Sequence, residues 1–205
     1  MVFRKWLSGF FILTITIGLC LPAARAAEVL DITAESALLV DADSGKVIYE
    51  KNADKRLAPA SMTKLMTLTL AVEALRDDRV SYEETVIASE NAWRLGGSQI
   101  YLEPGEKMTY RDMLVAIAVG SANDACVAVA EHLEGSHEAF VEIMNKKASE
   151  LGMKDTNFVN SYGLSDPDHY TCAKDMVTLG RFALNYPELL ELTCIKEYDL
   201  RGGEF

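Results

Sequence analysis

Residues 61–75 read SMTKLMTLTLAVEAL, and this stretch limits the folds open to the chain more than any other. Apolar or small residues fall on nearly every face of a helix drawn through it, broken only by Lys64, Glu73 and the threonines. A helix that is apolar all round must be enclosed by other elements, so the pattern predicts a central helix whose start lies deep in the domain. Pro59 sits just upstream, where a first helical turn can begin without losing a useful N–H. One residue does not fit a purely structural helix. Lys64 stands one turn after Ser61 on a buried surface, where desolvation disfavours the charged amine.

Around this helix the sequence alternates short strands and helices. SALLVDADSGKVIYEKN places two apolar segments about Asp43-Ser44-Gly45, whose side-chain and glycine chemistry suits the turn of a β-hairpin. Between Asp77 and Lys107, polar loops alternate with short apolar pieces and are broken by Gly96-Gly97 and Pro104-Gly105. Thr109 can cap the helix YRDMLVAIAV, which Gly120 should stop. ACVAVAEHL and HEAFVEIMNKKASEL then read as helices ended by Gly135 and Gly152. TCAKDMVTLGRFALNY reads as a last helix with Thr171 as its cap, after a turn-rich stretch from Lys154 to Tyr170. A hairpin followed by helices, with further strand-like sequence expected at the end, is an α+β plan.

Ser61 and Lys64 are at i and i+3, so a helix brings their Cβ atoms to about 5 to 6 Å, within hydrogen-bonding reach of hydroxyl and amine. A serine hydroxyl needs a neighbouring base to become a nucleophile, and a desolvated lysine can be that base. The unpaired N–H groups of a first helical turn can also stabilise an oxyanion. Taken alone, the pair better suits a helix cap beside a lysine that reaches out to water. Ser121-Ala122-Asn123 is the second element, in the short break between two apolar helices. It admits two readings: Asn123 or Asp124 capping the next helix, or Ser121 as a proton shuttle with Asn123 orienting Lys64 or a substrate amide.

Ser61-Met62-Thr63-Lys64 followed by Ser121-Ala122-Asn123 resembles the first two motifs of the penicillin-recognising serine acyltransferases, and in particular the D-alanyl-D-alanine carboxypeptidases, the low-molecular-mass penicillin-binding proteins. The similarity runs through ALLVDADSGKVIYEKN, GGSQIYLEPGE, VGSANDACVAVAEHLEGS, FVEIMNKKASELGMKDTNF and NSYGL, covering nearly all of residues 36–186. It implies a β-lactamase/transpeptidase-like fold, an antiparallel sheet with flanking helices and a helical subdomain. It also implies a two-step acyl transfer: Ser61 as nucleophile, Lys64 as general base, Ser121 as proton shuttle and Asn123 as orienter, with Ser61 and Asn123 also touching substrate. The implied partners are a peptidoglycan stem peptide ending in D-Ala-D-Ala and β-lactams that mimic it. Ala122 at the middle of the second motif resembles carboxypeptidases more than class A β-lactamases, and Glu188 is read as a surface residue rather than a deacylating carboxylate. The family's third motif, Lys-Thr-Gly or Lys-Ser-Gly, occurs nowhere in the 205 residues. Residues 27–205 are therefore expected to be an incomplete catalytic domain that lacks its final strands and is poorly active or poorly folded. A non-catalytic wall- or penicillin-binding module and a β-lactamase are the alternatives.

Arg4 and Lys5, the apolar run WLSGFFILTITIGLCL and the small-x-small sequence Ala24-Arg25-Ala26 make residues 1–26 a secretory signal peptide, which implies an extracytoplasmic location and leaves membrane attachment open. A net charge of −11 argues against nucleic acid and anionic lipid as main partners. Cys126, Cys172 and Cys194 remain after the leader, odd in number and without any CxxC, so neither a disulfide scaffold nor a zinc site is expected. Cys126, inside ACVAVA, reads as a buried small hydrophobe. His132, His137 and His169 are isolated in sequence, lack ligand spacing and read as surface residues, so no metal or cofactor is implied.

Overall fold

The computed structural model describes residues 32–203, and the compact unit discussed below begins at Glu35. The leader assigned to residues 1–26 lies outside the described residues. Strands β1 (Ala37–Val40) and β2 (Val47–Lys51) form an antiparallel hairpin with a register shift between Leu39 and Val40. The Asp41 carboxylate closes its turn by accepting from the Ser44 N–H at 2.8 Å, where the sequence pointed to Asp43, and Gly45 takes a φ of 73°. A single 3-10 turn (Ala60–Thr63) leads into α1 (Lys64–Arg76). After α1 come β3 (Thr85–Ile87), α2 (Glu90–Trp93) and β4 (Lys107–Thr109), which pairs antiparallel with β3. Five helices follow: α3 (Tyr110–Gly120), α4 (Asn123–Glu134), α5 (His137–Glu150), α6 (Ala173–Ala183) and α7 (Pro187–Thr193). Among the described residues the strands form two separate pairs, and no helix is long and apolar enough to cross a membrane.

Helix α1 is the spine of the domain. Its Leu68, Ala71 and Val72 pack into one apolar cluster with Met113, Leu114 and Ile117 of α3 and Ala125 and Val129 of α4. Its Met66 and Leu70 face a second cluster with Phe140 and Met144 of α5, Phe158 and Leu179 of α6. Both sides of α1 are thus buried, as a helix without a polar face requires.

Local capping explains where the helices start, with three corrections to the sequence reading. Thr109 accepts from the Asp112 N–H and opens α3 as expected, and Ser136 does the same for α5 through the Ala139 N–H. Helix α6 is capped by the Cys172 sulfur, which accepts from the Asp175 N–H at 3.4 Å, not by Thr171. Thr171 is already engaged: its backbone bridges to Leu57 and its hydroxyl meets Thr156 at 2.7 Å. Gly120 remains helical, and it is Ser121 that turns the chain with a left-handed φ of 53°. Neither Asn123 nor Asp124 caps α4; the cap position is Ala122, which frees both side chains for other partners.

Candidate active site

The site forms where the start of α1 meets the break between α3 and α4. Pro59 leads into the 3-10 turn, Ala60 follows in the left-handed region at a φ of 48°, and Ser61 emerges exposed while Lys64, one turn on, is only 4% exposed. Such backbone strain in a non-glycine residue costs about 1 to 3 kcal/mol and is retained only where the surroundings enforce it. Here the enforcing contact is Gly163, whose Cα lies so close to Ala60 that an added Cβ would sit 1.9 Å from the Ala60 carbonyl oxygen.

Three oxygens surround the Lys64 amine: Ser61 Oγ at 3.3 Å, Asn123 Oδ1 at 2.8 Å and the Tyr162 carbonyl at 2.7 Å. All three are neutral. Burial therefore pushes the Lys64 amine below its usual range. The Cys126 thiol is itself pushed up to about 12 by burial and stays protonated. In the neutral amine the two N–H donors go to the two short contacts with pure acceptors, and the lone pair is left facing the Ser61 hydroxyl.

Ser121 donates its hydroxyl to Ser61 Oγ at 3.1 Å, and its left-handed backbone aims the side chain there at the end of α3. Asn123 is 4% exposed and acts from the first turn of α4. Its Nδ2 donates to the Gly96 carbonyl at 2.8 Å, and this fixes Oδ1 toward Lys64. The Asn123 N–H donates to the Ser98 carbonyl at 2.8 Å, so the 96–98 loop is tied to the site on both faces of one residue. Gly97 is required by this approach, since a Cβ there would lie 2.8 Å from Asn123 Nδ2. Fully buried Asp124 continues the same work by accepting from the N–H groups of Ile100 and Leu102.

The four residues singled out from sequence, Ser61, Lys64, Ser121 and Asn123, thus meet in one hydrogen-bonded cluster. Glu188 does not join it: it pairs with Arg76 at 2.9 Å, at the opposite end of α1 and about 18 Å along the helix from Lys64. The sequence reading missed Tyr162, Asn160 and Asp124. Asn160 builds the turn that presents the Tyr162 carbonyl, its Oδ1 accepting from the N–H groups of Tyr162 and Gly163 at 3.2 and 2.6 Å. An Asn three residues before a Gly is a turn signal, but nothing in it says which carbonyl the turn will display.

The histidines are not surface residues. His169 is 2% exposed, and its ring bridges the Val159 N–H at 3.0 Å and the Thr63 hydroxyl at 2.8 Å. His137 is half-buried, stacks on the Tyr162 ring at 5.5 Å and accepts from the Ser161 N–H at 3.2 Å. His132 is partly buried against Glu84, with 3.1 Å between Nε2 and the carboxylate. Cys126 and Cys172 are buried, and Cys194 is exposed.

Residues 23–203 match the family described as D-alanyl-D-alanine carboxypeptidase. The chain belongs to that family. It is 50% identical over 168 residues to the D-alanyl-D-alanine carboxypeptidase DacF of Bacillus subtilis (strain 168), an alignment spanning 82% of this chain and 43% of that relative. Its identity to DacC of Escherichia coli (strain K12) is 34% over 183 residues, 86% of this chain and 46% of the relative. Among solved structures, penicillin binding protein 5 from Haemophilus influenzae superposes with a TM-score of 0.81 at 34% identity, covering 84% of this chain and 51% of that one. Penicillin-Binding Protein D2 from Listeria monocytogenes, solved in an ampicillin-bound form, gives a TM-score of 0.75 at 30% identity over 84% of this chain and 70% of that one. The chain spans about half the length of the curated relatives it matches. A mixed helical and antiparallel fold of the carboxypeptidase family is thereby established, as the sequence pattern implied.

Proposed function

We propose that this chain carries the acylation centre of a serine D-alanyl-D-alanine carboxypeptidase, with Ser61 as nucleophile and Lys64 as general base. The observation that carries the proposal is the Lys64 environment: a buried amine with two acceptors at 2.7 and 2.8 Å and its third direction open to Ser61 Oγ. A purely structural lysine would be paired with a carboxylate or extended to water.

In the proposed reaction the Ser61 hydroxyl passes its proton to Lys64 Nζ as Oγ attacks the carbonyl carbon of the penultimate D-Ala of a stem peptide. The oxygen of that carbonyl gathers negative charge near the Ser61 N–H at the start of the helical turn. Collapse breaks the peptide C–N bond, and the proton returns from Lys64 by way of the Ser121 hydroxyl to the departing amine of terminal D-Ala. Water, deprotonated by the same base, then cleaves the Ser61 ester. Asn123 keeps the amine aimed throughout and offers an amide to the substrate. Penicillins, which the Listeria relative's ampicillin complex makes pertinent, would acylate Ser61 in the same way. A wall-peptide substrate and the N-terminal leader pattern together support an extracytoplasmic location.

The test is release of free D-Ala from an N-acetylated tripeptide ending in D-Ala-D-Ala, measured for the chain, for Ser61→Ala and for Lys64→Arg. Lys64→Arg keeps the charge but cannot become neutral. The expected result is slow release by the chain and none by either variant. Release undiminished in Ser61→Ala would overturn the assignment, and a folded chain that binds the peptide without cleaving it would make this a binding module.

A further inference from the structure

The Tyr162 carbonyl belongs to a segment, Val159–Gly163, that lies in no helix or strand. Its backbone is instead held by side chains from elsewhere. The Val159 N–H donates to His169 Nδ1 at 3.0 Å, the Ser161 N–H to His137 Nε2 at 3.2 Å, and the Ser161 carbonyl accepts from Thr67 of α1 at 2.6 Å. Two of these three contacts, which hold the backbone beside the Lys64 bond to the Tyr162 carbonyl, are therefore to imidazole lone pairs. An imidazole accepts a hydrogen bond only when unprotonated, so the contacts also fix the tautomers. His169 carries its proton on Nε2 and gives it to the Thr63 hydroxyl at 2.8 Å. His137 has the opposite arrangement, with the proton on Nδ1 and the Nε2 lone pair toward Ser161.

We propose that neutral His137 and His169 are positioning residues that hold Val159–Gly163 against α1, so that the Lys64 cluster assembles only when both rings are unprotonated. Protonation of either ring sets an imidazolium N–H against a backbone N–H, and at His137 leaves only the Ser161 hydroxyl, 3.1 Å from Nε2, to accept the new proton. The anchor becomes a repulsion, the segment withdraws, and Lys64 loses its shortest contact. The inference deepens the acylation reading of Ser61 and Lys64 and rests on it for its kinetic arm.

The surroundings favour the neutral rings. Burial pushes both histidines below their ordinary value. Against this, Glu138 on α5 and Glu131 on α4 pull His137 upward, and Asp166 does so for His169. The other groups facing the rings are uncharged: Tyr162 and Ser161 beside His137, Phe158 edge-on at 5.8 Å and Thr63 beside His169. Because the folded chain then binds fewer protons than the unfolded chain below about pH 6.5, stability is full above that pH and falls as acid is added.

Two arms test the proposal on the full chain. In the first, nitrogen-15 NMR reads the ring tautomers and follows the Val159 and Ser161 amides through an acid titration. The expected result is an Nε2–H tautomer at His169, an Nδ1–H tautomer at His137, and amide shifts that move with the rings. Rings that titrate while both amides stay fixed would overturn it, whether or not the chain acylates. The second arm measures the benzylpenicillin acylation rate from pH 8 to 5 in the chain, in His137→Gln and in His137→Leu. The Gln carbonyl can stand in for Nε2 and does not titrate, whereas Leu removes the acceptor. Below the histidine range the unaltered chain should lose about tenfold more rate per pH unit than His137→Gln, while His137→Leu should be about ten- to a hundredfold slower at every pH. Acid limbs of equal steepness in the chain and His137→Gln, or a His137→Leu variant as fast as the chain, would contradict the role.

Discussion

The two halves of the site are built by different means. Ser61, Lys64, Ser121 and Asn123 stand on helix ends, where the backbone bonds of α1, α3 and α4 fix their directions. Val159–Gly163 has no such frame and is positioned by Asn160 of its own turn and by His137, His169 and Thr67 from outside it. The helix side depends on periodicity and burial, which many residues can supply. The loop side depends on particular functional groups, each of which can be removed or titrated alone. Perturbations of the loop should therefore act on assembly, and perturbations of the helix ends on chemistry.

The largest expected effect lies on the helix side. Lys64→Met should lower the penicillin acylation rate about 10²- to 10⁴-fold, the usual contribution of a general base, in a stopped-flow or mass-based time course. Next comes Gly163→Ala on the loop side. A Cβ there meets the Ala60 carbonyl at 1.9 Å, and the φ of 95° is unfavourable for any other residue. Overpacking and left-handed strain together should cost about 2 to 5 kcal/mol in urea unfolding. Unfolding at the level of the unaltered chain would show that the Ala60–Gly163 approach is not needed.

Two threonines on α1 sharpen the comparison. Thr67 donates to the Ser161 carbonyl of the loop, whereas Thr69 donates to Leu65, whose carbonyl the helix already uses. Thr67→Val leaves a buried carbonyl without its donor and should cost about 1 to 3 kcal/mol with slowed acylation. Thr69→Val should be near neutral in both. Equal effects would erase the distinction between the two regions. The smallest effect, of opposite sign, is expected at Gly120, which ends α3 in helical geometry and where an added Cβ would meet the Ile100 side chain at an ordinary 3.9 Å. Gly120→Ala should raise stability by up to about 1 kcal/mol through helix propensity, seen as a later unfolding midpoint.

The same contrast explains what could be read from the sequence. The central helix, the hairpin, the Thr109 cap and the Ser61–Lys64 pair follow from spacing alone, because helix geometry converts spacing into proximity. Ser121-Ala122-Asn123 became informative through its resemblance to the second carboxypeptidase motif, because the break between two apolar helices by itself suited a cap as well. Tyr162 could not be found this way, since it contributes a main-chain carbonyl that every residue possesses. His137 and His169 were misread because isolation in sequence is not isolation in space: Thr63 and His169 are 106 positions apart and share a hydrogen bond. Thr171 was misread as a cap because its polar groups were already committed to Leu57 and Thr156. The misses at Tyr162, His137, His169 and Thr171 each involve a contact between segments distant in sequence, where periodicity carries no information.

The measurement that tests the central claim most directly is the intact mass of the chain after incubation with benzylpenicillin, beside a Ser61→Ala control. One penicillin should be added per chain, persisting over the incubation and absent from the control. An unmodified chain, in a sample shown to be folded, or an adduct that survives in Ser61→Ala, would contradict that claim.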